Sequence, residues 1–328
     1  MQQSKSKLNL LSHRTKMILL FLLCALLIGF YILEGLNSSN IDYNLPRRIK
    51  KILAVILVGY ATGHSTLIFQ TITENHILTP SIMGLDSLYL FLQTLVVFLF
   101  GSRQLTMMND TSSFFITLVL MIGAALILFL LMFRGEKHNV YFLVLVGMIF
   151  GTLFGGLSNF MQMLIDPNEF SVLQGKMFAT FNKVNTDLLW IAGGITFITA
   201  LWSIKDLKLL DVISLGRNHA INLGVNYRYL ILKNLIAVAI FTSTATVLVG
   251  PVSFLGILVI SLTRSLFTTY KHSIFLPGVS LLSVAILMAG MFLAERVMNF
   301  SVPLSVIVNF AGGIFFMFLL LKQKGGSV

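Results

Sequence analysis

Lys205-Asp206-Leu207-Lys208-Leu209-Leu210-Asp211-Val212-Ile213-Ser214-Leu215-Gly216-Arg217-Asn218-His219-Ala220-Ile221-Asn222-Leu223-Gly224-Val225-Asn226-Tyr227-Arg228 is the most polar interruption between two long apolar halves of the chain. Its charges are too costly for hydrocarbon, so it lies at a membrane surface. Leu215, Ala220, Ile221, Leu223 and Val225 recur within it at helical spacing. That pattern predicts one or two short amphipathic helices punctuated by Gly216 and Gly224. The stretch is too apolar to be only a linker and reads as a docking surface; a solvated inter-helix loop is the plainer alternative.

Outward from it, the composition fixes the class. Hydrophobic residues make up 56% of the chain and charged residues 11%, with a mean hydropathy of +0.90. Several runs reach the roughly 20 residues that a helix needs to cross a ~30 Å hydrocarbon core. The chain is therefore expected to be all-α, a polytopic transmembrane bundle of about ten spans, near 17–36, 49–73, 85–101, 113–133, 140–163, 187–204, 229–249, 254–267, 274–294 and 303–321. The segment at 254–267 is short and suits a half-helix covered by its neighbours. Alternating strands of a β-barrel are not visible. Trp190 and Trp202 bracket the sixth span as interfacial anchors. The first apolar run has no small-residue cleavage site and is expected to stay as a helix.

The net charge of +11 fits membrane-flanking loops and docking surfaces rather than nucleic acid. With both termini cytoplasmic, that side receives Lys5, Lys7, Arg14, Lys16, Arg134, Lys137 and the basic residues of 205–228. The opposite side receives Arg103, Lys176, Lys183, Arg296 and the cluster Arg47, Arg48, Lys50, Lys51, which runs against the positive-inside bias and calls for a role there. The one cysteine, Cys24, lies mid-run and reads as a packed core residue.

Candidate chemistry is sparse. There is no Gly-x4-Gly-Lys-Ser/Thr phosphate loop, so ATP is not expected to bind this chain. The acidic residues Glu34, Glu74, Asp86 and Glu295 read as span ends or loop flanks, which disfavours an ion-coupled carrier. No metal-ligand spacing and no Ser/His/Asp set is visible, which disfavours an intramembrane enzyme. The second span carries Gly59, Thr62, Gly63, His64, Ser65, Thr66, Gln70 and Thr71, residues that allow close helix approach; His64 reads as packed and hydrogen-bonded. The fifth span carries Gly147, Gly151 and Gly155, then Gly156, Ser158, Asn159 and Gln162, a face for tight packing or for lining a polar path.

Four motifs in order then resemble one family. They are Leu45-Pro46-Arg47 with the loop Asn75-His76-Ile77-Leu78-Thr79-Pro80 leading to Gly84; Gly216-x3-Ala220-x2-Leu223-Gly224; Gly250-x3-Phe254-x-Gly256 followed by Arg264 and His272; and Ala294-Glu295-Arg296. Together they are similar to the FecCD-type permease subunits of ABC importers for iron–siderophore, haem and vitamin B12, over nearly the whole chain. Thr79-Pro80-Ser81 and Gly84-Leu85-Asp86 resemble the catecholate-siderophore branch. Ile260-Ser261 departs from the family's usual Pro-His pair.

The resemblance implies a type II ABC importer permease fold in one membrane domain, residues 1–328, with a cytoplasmic coupling segment at about 205–228. It implies an iron–siderophore cargo, a catecholate complex; a vitamin B12 or haem permease is the alternative. Partners would be cytoplasmic ATPases that hold the ATP, a second and different permease, and an external binding protein. Gly216, Ala220, Leu223 and Gly224 would couple to the ATPase. Asn75, Ile77 and Pro80 would form the cytoplasmic gate, and Gly151, Gly155 and Asn159 would border the translocation path. Arg47 and Arg296 would receive the binding protein. A third family arginine is Asn44 here, with Arg48, Lys50 or Lys51 as stand-ins.

Overall fold

A computed structural model describes residues 12–34, 41–107, 110–132, 140–182 and 184–324. Lys5, Lys7, Arg134, Lys137 and Lys183, counted in the charge balance, lie outside the described residues. The described chain is helical: α1 (His13–Leu33), α2 (Ile41–Ile72), α3 (Asp86–Met107), α4 (Asp110–Met132), α5 (Val140–Leu164), α6 (Pro167–Met177), α7 (Thr186–Ile204), α8 (Leu207–Ile213), α9 (Arg217–Asn222), α10 (Tyr227–Val249), α11 (Leu255–Leu266), α12 (His272–Phe292) and α13 (Leu304–Lys324). Two π turns, Ser81–Leu85 and Leu293–Val297, precede α3 and extend α12.

Among the described residues, eight helices are long and apolar enough to span a membrane. Leu255–Leu266 and Leu304–Phe318 are shorter apolar helical stretches. The expected ten segments are therefore all present as helices, with α11 short as read.

α2 and α10 form the centre, since 72% of each span is buried, against 22% for α1 and 17% for α5. Lipid tails are as apolar as leucine, so close contact rather than water exclusion holds such helices together. The small residues of α2 serve that contact. A β-carbon on Gly63 would stand 2.7 Å from Val279 Cγ1, and one on Gly59 3.2 Å from Ser283 Cβ, so α2 and α12 touch nearly backbone to backbone. Cys24 is buried and donates to the Leu281 carbonyl at 3.0 Å, as expected of a core thiol. His64 is fully buried between the Tyr60 hydroxyl (2.9 Å) and the Ser203 hydroxyl (3.2 Å), the packed role expected for it.

Side-chain bonds tie the helix ends into two faces. Lys16 donates to the Leu266 carbonyl, and His272 meets α8, so the start of α1, the end of α11, the start of α12 and residues 205–228 share one face, here the near face. Arg48 donates to the carbonyls of Tyr31, Ile32 and Glu34, and Lys51 pairs with Glu295, so the ends of α1 and α12 and the start of α2 share the far face.

Candidate coupling and gate site

At the near face, residues 205–228 fold as the two short helices α8 and α9. Gly216 (φ +97°) opens α9 and Gly224 (φ +82°) follows it. Both torsions lie where a β-carbon is disfavoured, which is why glycine stands at each. Asp206 fixes the start of the segment by accepting from Lys233 Nζ (2.8 Å) and Asn234 Nδ2 (3.3 Å), and Lys233 also lies 5.3 Å from the Trp202 ring.

Ala220 was read as part of the face offered to a partner, and the structure corrects this. Ala220 is fully buried and joins the cluster of Leu210, Ile213 and Tyr227 inside its own chain. The outward apolar face of the segment is Leu215, Ile221 and Leu223, with Leu223 64% exposed. The small residue lets α9 lie flat on the bundle, and its neighbours then project away.

The 73–80 loop is held by its own polar groups. Thr73 Oγ1 donates to the Phe69 carbonyl (2.8 Å), and the Asn75 amide to the Gln70 carbonyl (3.2 Å). Asn75 Oδ1 accepts from the Ile77 amide (2.8 Å), an Asx turn. Leu78, Thr79 and Pro80 turn inward and are buried, whereas Asn75 and Ile77 stay half-buried. The π turn then crosses α5. Gly84 has φ +93°, and a β-carbon there would meet Gly151 N at 3.0 Å, so a side chain would be both strained and crowded. His76 is partly desolvated, and this, together with the Arg264 charge, lowers its pKa below the usual 6.5.

The loop and the coupling helices are neighbours. Glu74 Oε1 lies 4.0 Å from where a β-carbon of Gly216 would be. A second connection runs through side chains. Asp211 Oδ1 on α8 accepts from the His272 amide (2.7 Å) and from His272 Nδ1 (2.6 Å). His272 Nε2 lies 2.8 Å from Thr71 Oγ1, in the last turn of α2. Beside it, Arg264 donates to Gln70 Oε1 (3.2 Å). This hydroxyl–imidazole–carboxylate set leaves no motif in the sequence, because Thr71, Asp211 and His272 are far apart in the chain. His272 and Thr71 are buried, so this set has no opening for a substrate and acts as a tether.

In α5 the glycine stripe divides. Residues four apart on a helix advance by about 40° around its axis. Gly147 therefore packs on Met83 and Gly151 on Gly84, while Gly155 has no neighbour within 4 Å of its would-be β-carbon and Asn159 is exposed. Asp86 also departs from its reading as a loop flank. The π turn carries it inward, where it is buried and accepts from the Ser253 hydroxyl at 2.5 Å.

At the far face, Arg47 is exposed over the Tyr43 ring at 4.2 Å, and Arg296 meets Glu34 at 3.4 Å. A cavity of about 740 Å³ opens there, lined by Asn44, Arg47, Lys50 and Arg296 among others. Arg48 caps the orphan carbonyls at the end of α1, and Lys51 is paired with Glu295. Both are committed to partners within the chain. Among the described residues no cluster of three or more His, Cys, Asp or Glu could hold a metal ion.

Residues 14–322 match the model of a known family, described as the FecCD transport family. The chain belongs to the FecCD transport family. It is 52% identical to the petrobactin import system permease protein YclO of Bacillus subtilis (strain 168), over 95% of this chain and 98% of that one. It is 35% identical to the petrobactin import system permease protein FatC of Bacillus anthracis, over 88% and 82%. The solved structure of a metal-chelate type ABC transporter in an inward-facing conformation superposes with a TM-score of 0.81 at 21% identity, over 95% of this chain and 100% of that one. The likeness in shape establishes the fold, and membership of the FecCD transport family, with eight candidate spans among the described residues, makes this a multi-pass membrane protein.

Proposed function

We propose that this chain is a permease subunit of an ABC importer that moves an iron–siderophore complex of the catecholate class across the cell membrane. The observation that carries this is the 52% identity, sustained over nearly the full length of both chains, to a permease of a petrobactin import system. The near face is cytoplasmic in this reading, as are both termini. Gly216, Ala220, Leu223 and Gly224 shape the segment that docks on an ATPase, with ATP held by that subunit. Asn75, Ile77 and Pro80 belong to the cytoplasmic gate, and Gly151, Gly155 and Asn159 to the wall of the path. The far face, through Arg47 and Arg296, receives a binding protein that delivers the cargo, and a second, different permease completes the path.

The test is uptake. A strain lacking this chain should regain accumulation of a ferric catecholate siderophore when the chain is supplied, with no change in vitamin B12 or haem uptake. Recovery of vitamin B12 or haem uptake instead would replace the cargo assignment.

A further inference from the structure

We infer that His272 is a positioning residue that carries movement of the coupling segment to the gate. The inference rests on the coupling and gate reading above and assigns the side chains that join the two. Three segments distant in the chain meet at this imidazole: α8 through Asp211, α12 through the His272 backbone, and the last turn of α2 through Thr71. Thr71 lies two residues before the 73–80 loop, and the loop's Asn75 amide is bonded to the carbonyl of Gln70, the residue preceding Thr71. A displacement of α8 therefore reaches the gate loop through short, directional bonds.

The chemistry at each end differs. Asp211 as a carboxylate only accepts, so Nδ1 carries a proton, and the same oxygen takes the backbone amide. This double acceptance at 2.6 and 2.7 Å is a charge-assisted, two-point grip on the start of α12. At the other end Thr71 has one hydroxyl proton and two acceptors for it, the Leu67 carbonyl (3.0 Å) and His272 Nε2 (2.8 Å). With Nδ1 protonated and Nε2 bare, the Thr71 hydroxyl can turn its one proton to the Leu67 carbonyl or to Nε2, with no proton gained or lost. The α2 side of the tether thus has two bonding patterns, and a shift of α8 can exchange them without breaking the Asp211 grip.

The test uses the assembled importer in liposomes: this permease, its partner permease, the ATPases and the binding protein. Thr71→Val, Asp211→Asn and His272→Gln are compared with Glu74→Ala, which removes the direct approach to Gly216. Two quantities are read: ATP hydrolysed per cargo moved, and nucleotide-dependent crosslinking of a cysteine placed at Ile77. Thr71→Val and Asp211→Asn should each raise ATP per cargo by roughly 2- to 30-fold. The ATPase should stay bound and the crosslinking response should shrink. The pair Thr71→Val/Asp211→Asn should be no worse than the worse single variant, because a series link breaks once.

Unchanged ATP per cargo in both single variants overturns the inference, as do losses that multiply in the pair. So does a loss confined to Glu74→Ala. Should His272→Gln fail to fold, the Thr71 and Asp211 variants decide alone. A normal importer carrying Leu223→Asp would instead remove the coupling reading itself, which is a separate result.

Discussion

Asp211 Oδ1 stands 2.6 Å from His272 Nδ1 and 2.7 Å from the His272 amide, so one carboxylate oxygen closes both the side chain and the first turn of α12 against α8. Hydrogen bonds to a charged group contribute about 1.5–3 kcal/mol each. Asp211→Asn keeps the shape but loses the charge. It should lower the thermal unfolding midpoint of the purified permease more than Lys208→Gln on the same helix. Equal midpoints would mean that the pair adds nothing to stability.

Leu223 and Ala220 lie three residues apart yet should fail differently. Leu223→Asp alters an exposed side chain, so the permease should reach normal levels in the membrane while its ATPase no longer co-purifies. Ala220→Asp puts an unpaired charge into a packed cluster, so the permease itself should be depleted. Immunoblots of membranes and of affinity eluates separate the two outcomes.

Gly84 combines a positive φ with a 3.0 Å approach of its would-be β-carbon to the α5 backbone. Gly84→Ala should cost about 1–3 kcal/mol through the strained torsion alone, and the contact adds to that. Gly155→Ala, where the space is open, should be nearly silent. Comparing the two variants by thermal unfolding checks that the close contact with α5 lies at Gly84 and Gly151 and not at Gly155.

Arg47 and Arg296 are predicted to orient the binding protein. Arg47→Glu should weaken association several-fold at low salt and less at high salt, since exposed charges are screened within about 10 Å at 0.1 M. Arg296→Glu should do the same, with an added local cost, because the new carboxylate would face Glu34. Restored association upon charge reversal in the binding protein would establish the pairing. Association that ignores both the substitutions and the salt would remove it.

His76 gives a pH test of the gate loop. Partial desolvation and the Arg264 charge lower its pKa, so the packed loop binds fewer protons than an open one. The packed form is thus fully favoured above the usual 6.5 and loses ground as pH falls from there toward the lowered value. Crosslinking from a cysteine at Ile77 should report a looser loop at pH 5.5 than at 7.5, and His76→Gln should flatten that difference. A pH response that survives His76→Gln assigns it elsewhere.

Much of this was legible in the residues. The long apolar runs announced the spans, and the glycines at 216 and 224 marked α9, because backbone at φ +97° and +82° favours a residue without a β-carbon. The family motifs brought out Ala220 and Leu223 together, but not that one faces inward and the other outward. Asp86 was misjudged for a related reason: a π turn changes depth as well as direction, and no periodicity records that.

What the sequence determined by itself is the solvent, the succession of apolar helices and the family, since each follows from composition and short local patterns. What the tertiary structure decided is which polar groups meet. Thr71, Asp211 and His272 lie on three helices, and Arg48, Lys51 and Arg296 find partners across the far face. A hydrogen bond forms only within about 3 Å, and the packing of distant helices, rather than spacing along the chain, sets such distances.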